Sequence, residues 1–321
     1  MKKNLQLLAL ILISGGLFAQ DEAIFNHYIQ TPVIVNPAAA GFNNEYQLQA
    51  NARASWSGFE DSPKTLAIRA NSPIGDRFGL AGTIFTESAA QQNRLKGQLD
   101  VAFRFPIGKE IKGVAPATLA FGFFTQFERI SIDNSILDNP LIDQGDEVLM
   151  GYIDGENFFD AGIGFYGTFY ENTFGGITVN NLVSNRLNNI SGGTTETNFN
   201  YTLLLGHTFR VGDADVKLTP SVMLRSVQDA PQLIDFNLQA GFLDDHLLTG
   251  LSYRNLRAMG LLLGTRLESF RIYYSYDLSF AEFQSYSNGS HEVTVGLSIN
   301  RADLQARRKA KAAEARQSRR R

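Results

Sequence analysis

The chain has 321 residues, 44% hydrophobic and 19% charged, a composition that excludes an intrinsically disordered protein. It has no cysteine, which excludes a disulfide framework, thiolate chemistry and a lipid anchor on Cys. The net charge of -3 hides a division: Arg301–Arg321 holds nine Lys/Arg against two acids, a basic end on an acidic body, and such asymmetry points to two surfaces with different partners.

The first 19 residues read as an export signal. Lys2 and Lys3 supply the charged start, Leu7–Ile13 the apolar core and Ser14–Ala19 the small-residue exit. Cleavage after Ala19 leaves Gln20 as the new N-terminus; a buried N-terminal helix is the alternative. No other stretch has the roughly 18 consecutive apolar residues of a transmembrane helix. Residues 20–46 show no alternation and contain Thr31-Pro32 and Asn36-Pro37, which interrupt strand ladders. They form an irregular segment ahead of the first strand.

From Leu48 to Trp56 every even position is apolar and every odd one polar. After a connector over Ser57–Lys64 the pattern resumes in phase at Leu66, Ile68 and Ala70. A period of two is that of a strand with one apolar and one polar face. The same pattern returns along the chain: a glycine-rich strand near Phe78–Thr86, then Gln98–Phe105 ended by Pro106, then Leu119–Phe127. Residues 131–157 lose it and are acidic, and a loop of that length is functional or disordered as a rule. Phe159–Phe169 and Phe174–Asn181 follow, then a second long loop over Asn185–Asn198. Phe199–Arg210, Val216–Ser226, Ile234–Phe242, Leu247–Arg254, Met259–Leu267, Phe270–Ser279 and Ser290–Asn300 complete about fourteen strands.

Strands of roughly 8 to 12 residues suit a tilted crossing of a bilayer. The longest connectors follow the fifth and seventh strands, and short turns follow the second, sixth, eighth, tenth and twelfth. A soluble sandwich also alternates, but sheets this large curl or close. In lipid the sheet must close, because open edges leave backbone groups unpaired. The expected fold is therefore all-β: a transmembrane antiparallel β-barrel over residues 47–300, with both termini in the periplasm. A cylinder of fourteen strands is too wide for its own side chains to fill. Residues 20–46 or the acidic loop are candidates for a plug.

Several short motifs surround the first hairpin: Asn36-Pro37-Ala38-Ala39-Ala40-Gly41, Arg53-Ala54-Ser55-Trp56-Ser57-Gly58-Phe59, Ser62-Pro63-Lys64-Thr65 and Pro73-Ile74-Gly75, with Asn288-Gly289-Ser290-His291-Glu292-Val293 near the end. Together they resemble the PorP/SprF family of type IX secretion outer-membrane proteins of Bacteroidetes. Ser55 and Ser62 stand where members usually carry Gln and Ala, and the basic tail is a further departure. The resemblance implies a non-enzymatic role: helping to secrete or retain large, adhesin-like surface proteins that carry a C-terminal targeting domain, together with the translocon and its periplasmic components, in some cases in support of gliding.

Trp56, Gly58 and Phe59 fall at the rim, and two readings stand: anchoring at the membrane interface or docking a partner's domain. Pro63, Lys64 and Thr65 are rim residues or part of that dock. Asn36 and Pro37 make a turn or fix how the N-terminal segment enters the barrel. Arg53 reads as a structural ion-pair partner. Arg307, Arg308, Lys309 and Lys311 make the tail, residues 301–321, a basic clamp for an acidic periplasmic partner or for cell-wall carboxylates; a plain disordered end is the alternative. His27, His207, His246 and His291 are too scattered for a metal site, and no hydrolase or phosphate-loop motif occurs. No cofactor, metal or nucleic acid is expected. A transporter for hydrophobic small molecules, similar to fatty-acid channels, is the alternative function, since those barrels also have fourteen strands and an N-terminal plug.

Overall fold

The computed structural model describes residues 25–109, 115–143, 145–183, 199–212, 216–227, 230–255, 258–280 and 287–302, with 304 and 306 beyond. The export signal and the tail residues Arg307, Arg308, Lys309 and Lys311 lie outside the described residues. Fourteen strands follow in order: β1 (Glu45–Ala54), β2 (Lys64–Ile74), β3 (Phe78–Ala89), β4 (Gln92–Ile107), β5 (Ala117–Ile132), β6 (Glu156–Phe169), β7 (Thr173–Asn180), β8 (Asn200–His207, resuming as Phe209–Val211), β9 (Val216–Ser226), β10 (Leu233–Phe242), β11 (Leu247–Arg254), β12 (Ala258–Leu267), β13 (Phe270–Ser279) and β14 (Ser290–Asn300). Each pairs antiparallel with the next, and β14 pairs with β1 from Glu45↔Asn300 to Ala54↔His291. The sheet is a closed barrel.

The alternation sets which face points where. Ile84 and Leu99 are 61% and 58% exposed, whereas Asn51, Asp100 and Glu292 are fully buried. A slip of one residue would exchange the two faces along a whole strand, so the pattern pins the register. An apolar exterior around a closed sheet, with every strand paired on both sides, is what hydrocarbon demands of a spanning β structure. Among the described residues no helix is long and apolar enough to cross a membrane.

Both β1 and β14 reach the same end of the barrel at Glu45 and Asn300. That terminal end also carries the turns at 75–77, 170–172, 243–246 and 268–269. The opposite, far end carries the connection 55–63 and the long one over 133–155.

Three details differ from the pattern in the sequence. Pro106 does not end β4, which runs on to Ile107, with Pro106 opposite Thr118 of β5. Arg104 N donates to Arg77 O of the β3–β4 side at 2.6 Å, so Pro106, two residues on, lacks its N–H on the flank where β3 has already ended. Pro220 interrupts β8 in the same way: β9 pairs Leu218 with Phe209 and Ser221 with Gly206, keeping register across the gap. The acidic stretch is not all loop. Asp133 caps a 3-10 turn over Asn134–Asp138 by accepting from Ser135 N, and Glu147–Asp154 forms a helix, α1.

Residues 25–44 run inside the barrel as three short 3-10 turns, Asn26–Tyr28, Pro32–Ile34 and Pro37–Ala39. Tyr28, Val33, Ala38, Ala39 and Ala40 pack against Ala81, Ala102, Ala120, Tyr166, Leu204 and Met223 of the inner wall. The approach is close because the wall is bare there. A Cβ on Gly79 would stand 1.8 Å from Ala40 O, and one on Gly122 would stand 2.4 Å from Ala38 N. A Cβ on Gly164 or Gly176 would meet the Asn36 side chain at 2.3 or 2.6 Å. Glycines on β3, β5, β6 and β7 thus form a track on which the backbone of residues 36–41 lies.

We expect Gly122→Val to force residues 36–41 off the wall and to destabilise the barrel by about 1–3 kcal/mol, the usual cost of overpacking. Gly97→Val, at an outward position with nothing within 4 Å, should be neutral. The temperature at which the folded band is lost on unheated electrophoresis gels checks both.

Candidate functional site

Two regions concentrate chemistry-bearing residues: a buried polar cluster inside the barrel, and the rim where β1 meets β14. The cluster is built from both ends of the chain. Arg53 on β1 donates from Nη2 to Asp277 Oδ2 at 2.8 Å and from Nη1 to Glu292 Oε2 at 3.1 Å. Arg254 on β11 donates to Asp235 Oδ2 at 3.3 Å and to Asn26 Oδ1 at 2.8 Å. Asn26 is the joint: its backbone N donates to Glu292 at 2.9 Å, and its Nδ2 lies 2.8 Å from Asp277 Oδ2 and 3.0 Å from Ser275 Oγ. His27 Nδ1 lies 2.5 Å from Thr294 Oγ1 and 3.1 Å from Glu292 Oε1. Burial lowers the His27 pKa from its ordinary value, against the opposing pull of Glu292. Asn237 Nδ2 donates to Tyr28 OH at 2.6 Å, and Gln49 Nε2 to Thr31 Oγ1 at 2.8 Å.

A second set of bonds fixes the segment where it leaves the lumen. Arg104 Nη1 donates to Gly41 O at 2.8 Å and to Phe42 O at 2.5 Å, and Nη2 donates to Asn44 Oδ1 at 3.0 Å. Glu45 accepts from Arg271 at 2.6 Å and from Ser298 Oγ at 2.8 Å. Arg301, just past β14, pairs with Asp76 at 3.1 Å. Asn36 Oδ1 accepts from Ala38 N, and its Nδ2 donates to Phe165 O at 2.8 Å and to Ile177 O at 3.3 Å. One side chain therefore caps a turn and ties it to β6 and β7. Both Asn36 and Pro37 are buried in the lumen.

The rim is assembled by backbone bonds beyond the regular strands. Ser55 N donates to Pro63 O at 2.9 Å, Ser57 N to Gly289 O at 2.7 Å, and Asn288 N to Ser57 O at 2.6 Å. Trp56 N donates to Ser290 Oγ at 3.0 Å. The motif around Trp56 and the one around Gly289, more than two hundred residues apart in sequence, thus meet at the seam between β1 and β14. Trp56 has φ +49°, a left-handed conformation that costs a bulky residue on the order of 1–3 kcal/mol, and Gly58 at φ +103° is where glycine is needed. Trp56 and Phe59 are exposed, as are Gly58 and Lys64; Pro63 is half-buried; Thr65 points inward, its Oγ1 donating to Glu87 at 3.2 Å.

The structure thus separates the residues that the sequence motifs group together. Trp56, Gly58, Phe59 and Lys64 share the far rim, while Asn36 and Pro37 lie deep in the lumen. His207 and His291 sit among aromatics of the outer face, beside Phe209 and between Tyr274 and Tyr276, and His27 sits inside. Among the described residues no group of three His, Asp or Glu side chains is placed to hold a metal ion. Sequence reading missed Asn26, Tyr28 and Arg254. The signal for Asn26 and Tyr28 was absent, since an irregular segment has no period to show which side chains face a partner.

We expect Arg53→Met to leave the buried Asp277 and Glu292 without their shared cation, at a cost of about 3–5 kcal/mol. Adding Asp277→Asn to that variant should recover part of the loss. Thermal unfolding followed by sheet circular dichroism measures both.

The barrel has counterparts among solved structures, each with little sequence in common. A TodX monoaromatic hydrocarbon channel mutant lacking S2 and S3 matches with TM-score 0.49 and 9% identity, covering 87% of this chain and 95% of that one. Acinetobacter baumannii Omp33 matches with TM-score 0.47 and 6% identity, covering 80% of this chain and 100% of that one. The Ralstonia pickettii toluene transporter TbuX matches with TM-score 0.46 and 10% identity, over 90% and 97%. No curated protein sequence matches the chain. A family model described as type IX secretion system membrane protein PorP/SprF matches residues 17–297, nearly the whole length of the barrel and its N-terminal segment. The chain belongs to the PorP/SprF family of type IX secretion system membrane proteins.

Proposed function

We propose that this chain is a non-enzymatic outer-membrane component of the type IX secretion system that helps secrete, or hold at the cell surface, a large adhesin-like protein. The partner's C-terminal targeting domain docks at the far rim. The observation that carries this reading is the exposure of Trp56, Gly58 and Phe59 at the seam closed by Ser57, Asn288 and Gly289, with exposed Lys64 on the neighbouring strand β2. An exposed Trp56 held in a strained backbone, with Phe59 exposed three residues on, is the composition of a binding hot spot. Pro63 and Thr65 shape the rim from below. The same rim position suits headgroup anchoring of Trp56, and the two roles predict different losses on mutation.

In this reading an export signal over residues 1–19 delivers the chain, the termini face the periplasm and the far rim faces outward. The basic tail, with Arg307, Arg308, Lys309 and Lys311, clamps an acidic component of the machine in the periplasm. Residues 25–44 act as the plug, so the lumen is a scaffold rather than a pore, and Asn36-Pro37 seats that plug. Support for gliding is a consequence of retaining an adhesin.

The alternative, a transporter of small hydrophobic molecules, is favoured by one observation. A cavity of about 110 Å³ lies between Phe25, Val33 and Ile34 of the inner segment and the wall, where Phe85, Phe124 and Met223 share its lining with Arg69, Lys96 and Arg225. Isolation from native membranes separates the two: a large secreted protein on the barrel, or a lipid-like molecule within it.

We expect Trp56→Ala with Phe59→Ala to release the retained surface protein into the medium while the barrel still folds and inserts; retention at the wild-type level rejects the dock. Because the chain has no cysteine, single thiols report sidedness cleanly. Gln91→Cys, in the β3–β4 turn at the far end, should react with an impermeant maleimide on intact cells. Asn172→Cys, at the terminal end, should react only after the envelope is opened.

A further inference from the structure

On the outer wall near the far end, four neighbouring strands place their outward side chains in ordered rows. The register pairs Ile68 with Ile84, Ile84 with Gly97 and Gly97 with Phe127, an apolar row. One step toward the rim comes Leu66, Thr86, Leu95 and Arg129, and the next step is Lys64, Ser88, Asn93 and Ser131. The outward face therefore changes within two steps from hydrocarbon to hydroxyl, amide and cation. These last two rows, together with Thr65, Glu87 and Arg94, line one depression of about 480 Å³.

Among the described residues no carboxylate lies within 4.0 Å of Lys64 or Arg129. The nearby acids are engaged elsewhere: Glu87 and Glu128 turn inward to Arg94, at 3.7 and 2.8 Å, and Asp133 caps Ser135 N. Arg129 is held rather than free, since its Nη2 donates to the carbonyl of Asp154, the last residue of α1, at 2.6 Å. Lys64 stands on β2 and Arg129 on β5, three strand spacings or about 14 Å apart. Positive charges at either side of a floor of hydroxyl groups, directly above an aliphatic wall, match an amphiphile with negative charge on a broad polar head and several acyl chains beneath.

We propose that this depression binds a phosphate-bearing glycolipid of the outer leaflet. Lys64 and Arg129 take its phosphates, and Thr86, Ser88, Asn93 and Ser131 meet its sugar hydroxyls. Leu66, Leu95, Ile68, Ile84 and Phe127 receive its acyl chains. The proposal rests on the reading that the far end faces outward, which the thiol labelling at residues 91 and 172 tests by itself. Lys64, on β2 at the edge of the dock, faces the lipid as well, while Trp56 and Phe59 serve the protein partner alone.

The test uses the full-length protein in a mild detergent, with bisphosphorylated hexa-acyl lipid A and phosphatidylglycerol as probes. Native mass spectrometry reads the bound lipid. Wild type should bind lipid A at least tenfold more tightly than phosphatidylglycerol. Lys64→Gln with Arg129→Gln should lose tenfold or more in lipid A affinity while still migrating as a folded barrel on unheated gels. Arg77→Gln, at the terminal end, should bind as wild type does. Single Lys64→Gln and Arg129→Gln variants, each with a partial loss, keep the test open if the double variant fails to fold. Equal binding of phosphatidylglycerol overturns the proposal, as does unchanged lipid A affinity in the variants or displacement of lipid A by millimolar inorganic phosphate.

Discussion

The whole architecture follows from one requirement: in hydrocarbon, each backbone N–H and C=O left without a partner costs several kcal/mol. A sheet has two open flanks, and only joining β1 to β14 removes both. Consecutive antiparallel pairing makes this cheap in chain length, since neighbouring strands need only turns between them. The two prolines within strands respect the same requirement. Pro106 sits where its neighbour has ended, and Pro220 sits at a break in β8.

Closing so many strands creates a second problem, a lumen too wide for wall side chains to fill. The chain solves it with residues 25–44, fixed in two unlike ways. On one side the wall is stripped to glycine and alanine, so that backbone lies on backbone. On the other, ionised side chains from β1, β10, β11, β13 and β14 surround Asn26 and His27. Contacts of the first kind tolerate little volume change; those of the second demand complete pairing, because a buried charge that loses its partner is strongly penalised. Together they leave the rim as the region free to meet other molecules, and the rim is where backbone strain at Trp56 has accumulated.

The strands were legible because their signal is geometric and repeated. Leu48 to Trp56 and Val293 to Ile299 alternate so cleanly that both the faces and the closing pair follow from them. The ends of strands were not legible: β4 begins six residues before the clean alternation, at Gln92, because residues extending beyond the bilayer have no need to be apolar outside. Helix α1 was missed because eight residues within an acidic stretch show too little periodicity to stand out. At the rim, exposure of Trp56 and Lys64 followed from their phase, but the bonds from Ser57 to Asn288 and Gly289 did not, since no local pattern links segments so distant. Glycines at 122, 164 and 176 read as interruptions of a strand face; only the path of residues 36–41 shows what they accommodate.

The polar cluster draws on the first described turn of the chain and on its last two strands at once. Asn26 and His27 meet Ser275, Asp277, Glu292 and Thr294, which lie far along the chain on β13 and β14. Without β13 and β14, Arg53 would lose both of its carboxylates and Asn26 would keep only its bond to Arg254, beside an unclosed flank. The interior thereby couples the seating of the inner segment to closure of the sheet: its first described turn is fully satisfied only when β13 and β14 have joined β1.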